Sequence, residues 1–285
     1  MSKILITGTS GFIGSALAAA LADQHEVVGL SRKPTSVEGV TVVEGDFADP
    51  DELHKLDSHG DIDVLVHLAA VTGRGPEQAC MDVNVTGSYH LLRNLIDRGT
   101  KKFVLASSIA AVGVESTSFR PLQLPMQDEH PCLDRGGYGF SKYMMEEITR
   151  YLSRQSESLD FINLRLCSIL PEDGQRTPRE SSGPLPGWGF ATISVMYLSD
   201  MVRCLTRAVE ADHKSGVRIM NVTGAQACVA DSVPELMRAW YGAEAEAMDL
   251  SHYERPGHER DAVYDITLVR EELGFVPARS ILGDQ

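Results

Sequence analysis

The sequence lacks the features that mark several classes of protein. No apolar run reaches the roughly 18 residues of a membrane span. The first residues do not show the order of basic segment, apolar core and cleavage site that a signal peptide has, so we expect no export and a cytoplasmic location. The histidines never occur as HxH or HxxxH, and we therefore predict no metal site.

Cysteine and positive charge are also scarce. The five cysteines are widely spaced and include no CxxC, which excludes a disulfide framework or zinc knuckle and favours reduced thiols. Lys and Arg number 26 against 40 Asp and Glu, a net charge of −14. Nucleic acid and anionic membrane surfaces bind largely through cations, so we expect neither as a partner. A small nucleotide ligand remains compatible with this charge.

What the sequence does contain is a regular alternation of short apolar runs and helical patterns. Its 285 residues are ample for a buried core, and 43% of them are hydrophobic. The alternation predicts an α/β protein with a Rossmann-type, doubly wound parallel sheet. The predicted strands are 3–7, 26–30, 40–43, 63–68, 102–106 and 161–166, and the predicted helices between them are 12–24, 51–58, 82–98 and 138–156.

The composition changes at 171–190, which is polar and rich in Pro and Gly and therefore indicates a long loop. Beyond it the pattern predicts a helix at 199–211, a strand at 217–222 and helices at 231–241 and 265–273. We expect an NAD(P)-binding Rossmann domain over 1–170 that also takes in about 191–222. Residues 171–190 and 223–285 would form a small substrate-binding lobe.

A glycine-rich turn follows the first strand, with the spacing GxxGxxG. Gly8 and Gly11 would let the backbone approach a phosphate closely, and Gly14 would let the helix pack tightly on the strand. The amides at the start of the helix suit a pyrophosphate, which adds Ser10, Phe12 and Ile13 to the candidate cofactor contacts. The alternative is a tight turn that binds no ligand.

The end of the second strand indicates which dinucleotide binds. An acidic residue there would bind the adenosine ribose and favour NAD, but the sequence has Ser31, Arg32 and Lys33. A hydroxyl and two cations suit a 2′-phosphate, so we predict NADP. The alternative is NAD, with the two cations lying in solvent.

A second group of residues could perform acid–base chemistry. Tyr138 and Lys142 are four residues apart, so on a helix both project from one face. A neighbouring ammonium would lower the pKa of the tyrosine and allow it to exchange a proton with a substrate hydroxyl. Ser108 follows a predicted strand, where it could polarise the reacting oxygen. The alternatives are an ordinary amphipathic helix and a serine that caps a strand end.

Together these motifs resemble the extended short-chain dehydrogenases/reductases of the NAD(P)-dependent epimerase/dehydratase type, along nearly the whole chain. The resemblance places Ser108, Tyr138 and Lys142 at the catalytic Ser-Tyr-Lys positions and matches Asn84, in Asn-Val-Thr-Gly, to a further family residue that we include in the catalytic set. Tyr138 and Lys142 would also contact the cofactor. The other cofactor contacts it implies are Asp46 and Phe47 in the EGDFAD segment, Leu68, Ala69 and Ala70 in the HLAA segment, and Ala106.

Departures from the family pattern bear on the substrate. Ser168 stands where members that act on nucleotide sugars usually carry Asn, and the chain is short for a sugar-nucleotide epimerase. Arg255, in contrast, matches a family contact to a diphosphate. We take Thr72, Ser108, Tyr138, Ser168 and Arg255 as the candidate substrate contacts.

We therefore expect an NAD(P)-dependent oxidoreductase that acts on a sugar, a sugar derivative or a small keto metabolite. Two alternatives remain, a nucleotide-sugar epimerase or dehydratase that retains NAD and a non-catalytic NAD(P)-binding regulatory protein. Trp188 and Phe190 could stack on a substrate ring or anchor the loop to the core. The resemblance further implies a homodimer through helices 82–98 and 138–156.

Overall fold

The strands of this protein form two sheets in a computed structural model that describes residues 1–73 and 75–283. Seven of them make one mainly parallel sheet in the order β3-β2-β1-β4-β5-β6-β9, and β7 and β8 pair separately. Their bounds are β1 Lys3–Thr7, β2 Glu26–Ser31, β3 Val40–Glu44, β4 Val64–His67, β5 Lys102–Ser108, β6 Asp160–Leu166, β7 Ser168–Leu170, β8 Val195–Tyr197 and β9 Gly216–Val222.

Strand β1 lies at the point where the order of the sheet reverses. Ile4 is in register with Val27 of β2 on one side and with Val64 of β4 on the other, both in parallel pairs. All of these strands are apolar and buried, as expected for a sheet that helices cover on both faces. Ligands of doubly wound sheets bind beyond the carboxyl ends of the strands at such a reversal.

Helices connect the strands, so the predicted Rossmann-type α/β fold is confirmed. The segment predicted as one helix over 82–98 is a π-helical turn followed by an α-helix, and the predicted helix at 51–58 is a 3₁₀ helix. The α-helices are α1 Phe12–Ala22, α2 Glu77–Ala79, α3 Ser88–Asp97, α4 Gly137–Ser153, α5 Gly189–Ile193, α6 Leu198–Glu210, α7 Val233–Tyr241 and α8 Thr267–Leu273. The 3₁₀ helices are Pro50–His59, Ile109–Val112 and Gly242–Ala247, and the π-helical segment is Cys80–Gly87.

The chain divides into two compact units. Unit 1 consists of Met1–Ser107, Ser141–Leu164 and Val202–Ile219. Its core is built from Leu, Val, Ile and Phe side chains of the sheet and of the helices beside it, and Phe103 and Phe161 stack there with ring centroids 4.9 Å apart.

Unit 2 consists of Ser108–Phe140, Arg165–Met201 and Met220–Gln285. Edge-to-face aromatic contacts run through its core from Phe119 to Phe190 and from Phe190 to Trp240, each with ring centroids 5.6 Å apart. All five cysteines of the chain are free thiols. Among the described residues, no helix combines the length and the apolar character that crossing a membrane requires.

Candidate active site

The glycine turn after β1 packs so tightly that side chains are excluded from it. A Cβ atom on Gly14 would lie 2.2 Å from the carbonyl oxygen of Gly8. Gly8 itself has a φ of +81°, and its Cβ would approach the amide nitrogen of Ala69 to 3.0 Å. No side chain caps the first turn of α1, which begins at Phe12 after Gly11. The positive end of this helix and its first amides can therefore receive an anion.

A cavity of about 340 Å³ opens at this turn and lies entirely within unit 1. It contains most of the residues predicted for the cofactor, together with Thr72, which was predicted for the substrate. Leu30, Gly45 and Val83 also line it and were not predicted from the sequence. The predicted residues that line the cavity are Gly8, Ser10, Gly11, Ser31, Arg32, Lys33, Phe47, Leu68, Ala69, Ala70 and Thr72.

The strand end beside this cavity presents hydroxyls and cations. Ser31 donates a hydrogen bond to Ser10 (2.7 Å between the hydroxyl oxygens) and accepts one from the amide of Lys33. Arg32 is 62% exposed and lies 3.9 Å from the carboxylate of Asp46, a weak pair. A glycine turn, an uncapped helix start and this strand end are what a dinucleotide requires, so the residues fit a nicotinamide dinucleotide.

His67, at the end of β4, fixes the backbone that forms one wall of the cavity. The Thr7 hydroxyl accepts hydrogen bonds from the amides of Leu68 and Ala69, and its oxygen lies 2.7 Å from Nδ1 of His67. Nε2 of His67 lies 2.9 Å from the Ser88 hydroxyl oxygen. Because the two amides occupy both lone pairs of the Thr7 oxygen, we assign the proton of the Thr7–Nδ1 hydrogen bond to the hydroxyl and the ring proton to Nε2. Burial, and then the charge of Lys142, lowers the pKa of His67 to about 3, so the ring is neutral.

Asn84 lies in the π-helical segment and is almost completely buried. Its side-chain amide donates to the carbonyl of Val71 and to the hydroxyl of Ser141, and its oxygen accepts from the amide of Val71. These contacts hold the chain after β4 next to the start of unit 1's part of α4. Asn84 therefore links these two segments of the chain through its hydrogen bonds.

Lys142 is buried in unit 1, one turn along α4 from Tyr138. Its ammonium donates a hydrogen bond to the carbonyl oxygen of Ala106 at 2.6 Å. Burial lowers the pKa of Lys142 from 10.5 to about 8, although the carboxylate of Glu146 opposes the shift. Lys142 therefore loses its proton near pH 8, and the ammonium form predominates at pH 7.

Tyr138 and Ser108 belong to unit 2. Tyr138 is the second residue of α4 and is half-buried, with its ring centroid 6.0 Å from that of Trp188. Ser108 ends β5 and caps the 3₁₀ helix Ile109–Val112, because its hydroxyl oxygen accepts the amide of Ala110 at 3.1 Å. The hydroxyl proton of Ser108 can then be directed to another acceptor.

Two carboxyl groups beside the start of α4 were not predicted from the sequence. Glu115 accepts the amide of Gly139 at 2.8 Å, and burial, with the nearby Asp134, raises the pKa of Glu115 to about 7. Burial also raises the pKa of Asp134. A Cβ on Gly136 or Gly139 would collide with these carboxylates, so the glycines that flank Tyr138 in RGGYGFSK were the available signal.

The two remaining substrate candidates make hydrogen bonds within unit 2. Ser168 donates to the carbonyl oxygen of Ala191 at 2.8 Å. Arg255 is exposed and donates to the carbonyl oxygen and to Nδ1 of His252. Asp261 in turn accepts from both His252 and His258, at 2.9 and 2.7 Å. The sequence spacing did not predict this network, because the turns of 252–261 bring its side chains together.

The sequence of this chain is similar to those of known enzymes. The profile of the NAD dependent epimerase/dehydratase family matches residues 4–223. A UDP-glucose 4-epimerase of Halalkalibacterium halodurans is 29% identical over 190 residues, which cover 64% of this chain and only 55% of that relative. The L-arabinose 1-dehydrogenase (NAD(P)(+)) of Haloferax volcanii is 27% identical over 252 residues, 84% of this chain and 94% of that relative.

Solved structures share the fold. A UDP-glucose 4-epimerase from Bifidobacterium longum in complex with NAD+ and UDP superposes with a TM-score of 0.71 at 19% identity, covering 98% of this chain and 95% of that one. A mutated uronate dehydrogenase gives a TM-score of 0.69 at 20% identity, covering 99% and 83%. With the family profile spanning most of the chain, the protein belongs to the NAD-dependent epimerase/dehydratase family and is an NAD(H)-binding enzyme of the extended short-chain dehydrogenase/reductase type.

Proposed function

We propose that this enzyme is an NADP-dependent oxidoreductase that acts on a carbinol or carbonyl carbon of a sugar, a sugar derivative or a small keto metabolite. The observation that carries the proposal is the position of Tyr138 in α4, one helical turn before the buried Lys142. A buried ammonium favours the phenolate form of a neighbouring tyrosine, which brings the pKa of that tyrosine toward neutrality.

In this proposal the nicotinamide, when bound, supplies or accepts the hydride. Tyr138 accepts the proton of the substrate hydroxyl during oxidation and returns it to the carbonyl oxygen during reduction. Lys142 lowers the pKa of Tyr138 and holds the ribose of the cofactor. Ser108 donates a hydrogen bond to the reacting oxygen, and Asn84 acts as a positioning residue through Val71 and Ser141.

The preference for NADP is proposed from the end of β2. Ser31, Arg32 and Lys33 line the cofactor cavity there, and among the residues that the structure describes no acidic side chain lines it. The weak pairing of the exposed Arg32 with Asp46 leaves its guanidinium able to bind a 2′-phosphate.

Replacement of Tyr138 by Phe tests the mechanism. Turnover of aldoses, ketoses and keto acids would be followed through the absorbance of the nicotinamide, with Tyr151→Phe as the control because Tyr151 is an exposed tyrosine of the same helix. We expect Y138F to lose turnover while its affinity for NADPH stays within about twofold of the wild type. Turnover by Y138F at the wild-type rate would disprove the role of Tyr138.

The second candidate is a nucleotide-sugar epimerase that retains NAD. It is favoured by the relatives named as UDP-glucose 4-epimerases and by Arg255, the counterpart of a family diphosphate contact. Such an enzyme would release stoichiometric NAD on denaturation and would show no net redox change.

We further propose a homodimer formed by the segments 82–98 and 138–156. The support is the resemblance to the family, which implies a dimer through these two segments; Tyr151 of α4 is 45% accessible in the isolated chain and would be available for such a contact. Light scattering coupled to gel filtration distinguishes a dimer from the 31.1 kDa monomer.

A further inference from the structure

The two aromatic residues of the Pro- and Gly-rich loop have different environments. Phe190 is 1% exposed, and its ring packs edge-on against Phe119 and Trp240. It anchors the loop in the core of unit 2. Trp188 is only half-buried, and its ring lies 6.0 Å from that of Tyr138 with an angle of 36° between the planes. We expected these two residues either to stack on a substrate ring or to anchor the loop to the core, and Phe190 is the one that anchors it.

The backbone at Trp188 is strained. Its φ of +64° and ψ of 19° are left-handed, and within 1–73 and 75–283 no other residue except glycine has a positive φ. A side chain costs about 1 kcal/mol or more in this conformation, which glycine adopts freely. The amide of Thr192 donates to the carbonyl of Trp188, so the start of α5 fixes the geometry. The conformation holds an indole beside Tyr138 at a position whose backbone geometry glycine adopts without strain.

Two carboxyl groups lie beside Gly139, the residue that follows Tyr138. Glu115 accepts the amide of Gly139, the residue after Tyr138, and a Cβ on Gly139 would lie 2.2 Å from the carboxylate of Asp134. Whether ionised or protonated, these carboxyls offer no positive charge to an anion. The carboxyl group of Glu115 is half-buried and can accept or exchange hydrogen bonds with hydroxyl groups, whereas both carboxylate oxygens of Asp134 are buried.

We propose that Trp188 is the platform for the C–H face of a neutral, unphosphorylated sugar ring, held so that a ring hydroxyl faces Tyr138. The flat apolar indole matches the apolar face of such a ring, and the half-buried carboxyl group of Glu115 matches its hydroxyls. The proposal rests on the function given above. It narrows the substrate class to neutral monosaccharides and makes Trp188 a determinant of specificity.

The chain has two tryptophans, so Trp240→Phe leaves Trp188 as the sole indole. The W240F protein, loaded with NADP, would be titrated with L-arabinose, D-galactose, D-galacturonate and UDP-glucose while the indole emission is recorded. We expect a saturable change of emission with a neutral aldose and none with the two anionic sugars. Replacement of Trp188 by Gly should raise the KM for that aldose about five- to tenfold, with kcat changed by less than about threefold.

Stability measurements separate this role from a structural one. Trp188→Gly loses a half-buried indole but relieves the backbone strain, so its thermal midpoint should lie closer to that of the wild type than the midpoint of Phe190→Ala does. Phe190→Ala removes an anchor and should melt lower. An unchanged KM in W188G, emission that responds only to an anionic sugar, or no response to any aldose would overturn the proposal.

The test also separates the platform from the chemistry. If Y138F in the W240F background still gives the aldose-dependent emission change, the aldose binds at Trp188 without being turned over. That result supports the platform independently of the reaction. If W240F shows that change but the wild type turns over no aldose, the proposed reaction fails and the platform stands. If the wild type turns over an aldose that leaves the indole emission unchanged, the platform fails and the reaction stands.

Discussion

Burial of the Lys142 side chain lowers the stability of the folded protein while the lysine is charged. The sequence predicted that Lys142 projects from the same helix face as Tyr138. It did not predict the burial of Lys142, which depends on tertiary packing. Its pKa falls from 10.5 in the unfolded chain to about 8 in the folded one. Below pH 8 the folded protein must therefore keep a charge in its interior, and this penalty disappears as the pH rises from 8 to 10.5.

We predict that Lys142→Met raises the free energy of unfolding at pH 7 by about 1–2 kcal/mol while abolishing turnover. Removal of the buried charge outweighs loss of the hydrogen bond to Ala106. The gain should shrink between pH 8 and 10.5, where the wild-type lysine loses its proton. Urea unfolding at pH 7 and pH 10 measures both values, and a destabilisation of equal size at the two pH values would contradict the account.

His67 is a second residue whose state follows from its partners. Because Thr7 gives its proton to Nδ1, we predict that His67 is the Nε2–H tautomer and stays neutral at pH 5. ¹⁵N-detected imidazole correlations report this directly. An Nδ1–H tautomer, or a ring protonated at pH 5, would show that the network beneath Leu68 and Ala69 is arranged differently.

At the scale of elements, helix α4 depends on a distant carboxyl group. Glu115 holds the amide of Gly139 across 24 residues of sequence, and its pKa rises from 4.5 to about 7 on folding. The folded state therefore binds more protons than the unfolded state between pH 4.5 and 7. The contribution of Glu115 to stability is present below pH 4.5 and is lost as the pH rises through 7.

We predict that Glu115→Gln has nearly the stability of the wild type at pH 5 and exceeds it at pH 8. Glutamine keeps an oxygen for the amide of Gly139 but has no proton to lose. Urea midpoints of the two proteins at both pH values test this. A difference between them that does not change with pH would show that Glu115 does not titrate in this range.

The elements differ in how far the sequence predicted them. The strands of the parallel sheet were evident as short, mostly apolar runs; β1, β4 and β5 are almost completely buried, whereas the edge strand β3 is only partly buried. Strands β7 and β8 were not, since three residues carry no periodicity. The π-helical segment Cys80–Gly87 reads as ordinary helix, and Asn84 within it bonds to Val71, a contact outside any local pattern.

At the scale of the whole molecule, the cofactor site was predictable and the substrate side was not. Gly8, Gly14 and Ser31 lie within 31 residues that form one βαβ unit, so a local motif contains the cofactor chemistry. Glu115 and Trp188 reach the surroundings of Tyr138 through loops, and their sequence positions give no sign of it. The substrate specificity that we propose thus depends on contacts that form only in the tertiary structure.

The choice between the two dinucleotides can be tested at Arg32. We predict that Arg32→Ala weakens NADPH binding about tenfold or more and leaves NADH binding unchanged. The reason is that the guanidinium contacts only the 2′-phosphate of the cofactor, which NADH lacks. Arg154→Ala, which removes an exposed arginine of unit 1, is the control. Equal losses for both dinucleotides would show that Arg32 does not read the 2′-phosphate.

The proposed function requires that the cofactor be an exchangeable cosubstrate of a net redox reaction. Mass spectrometry can identify what the purified protein releases on denaturation, and the emptied protein can then be titrated with NADPH and NADH. We expect little bound dinucleotide and much tighter binding of NADPH than of NADH. Stoichiometric NAD retained through purification would contradict it and would favour the epimerase.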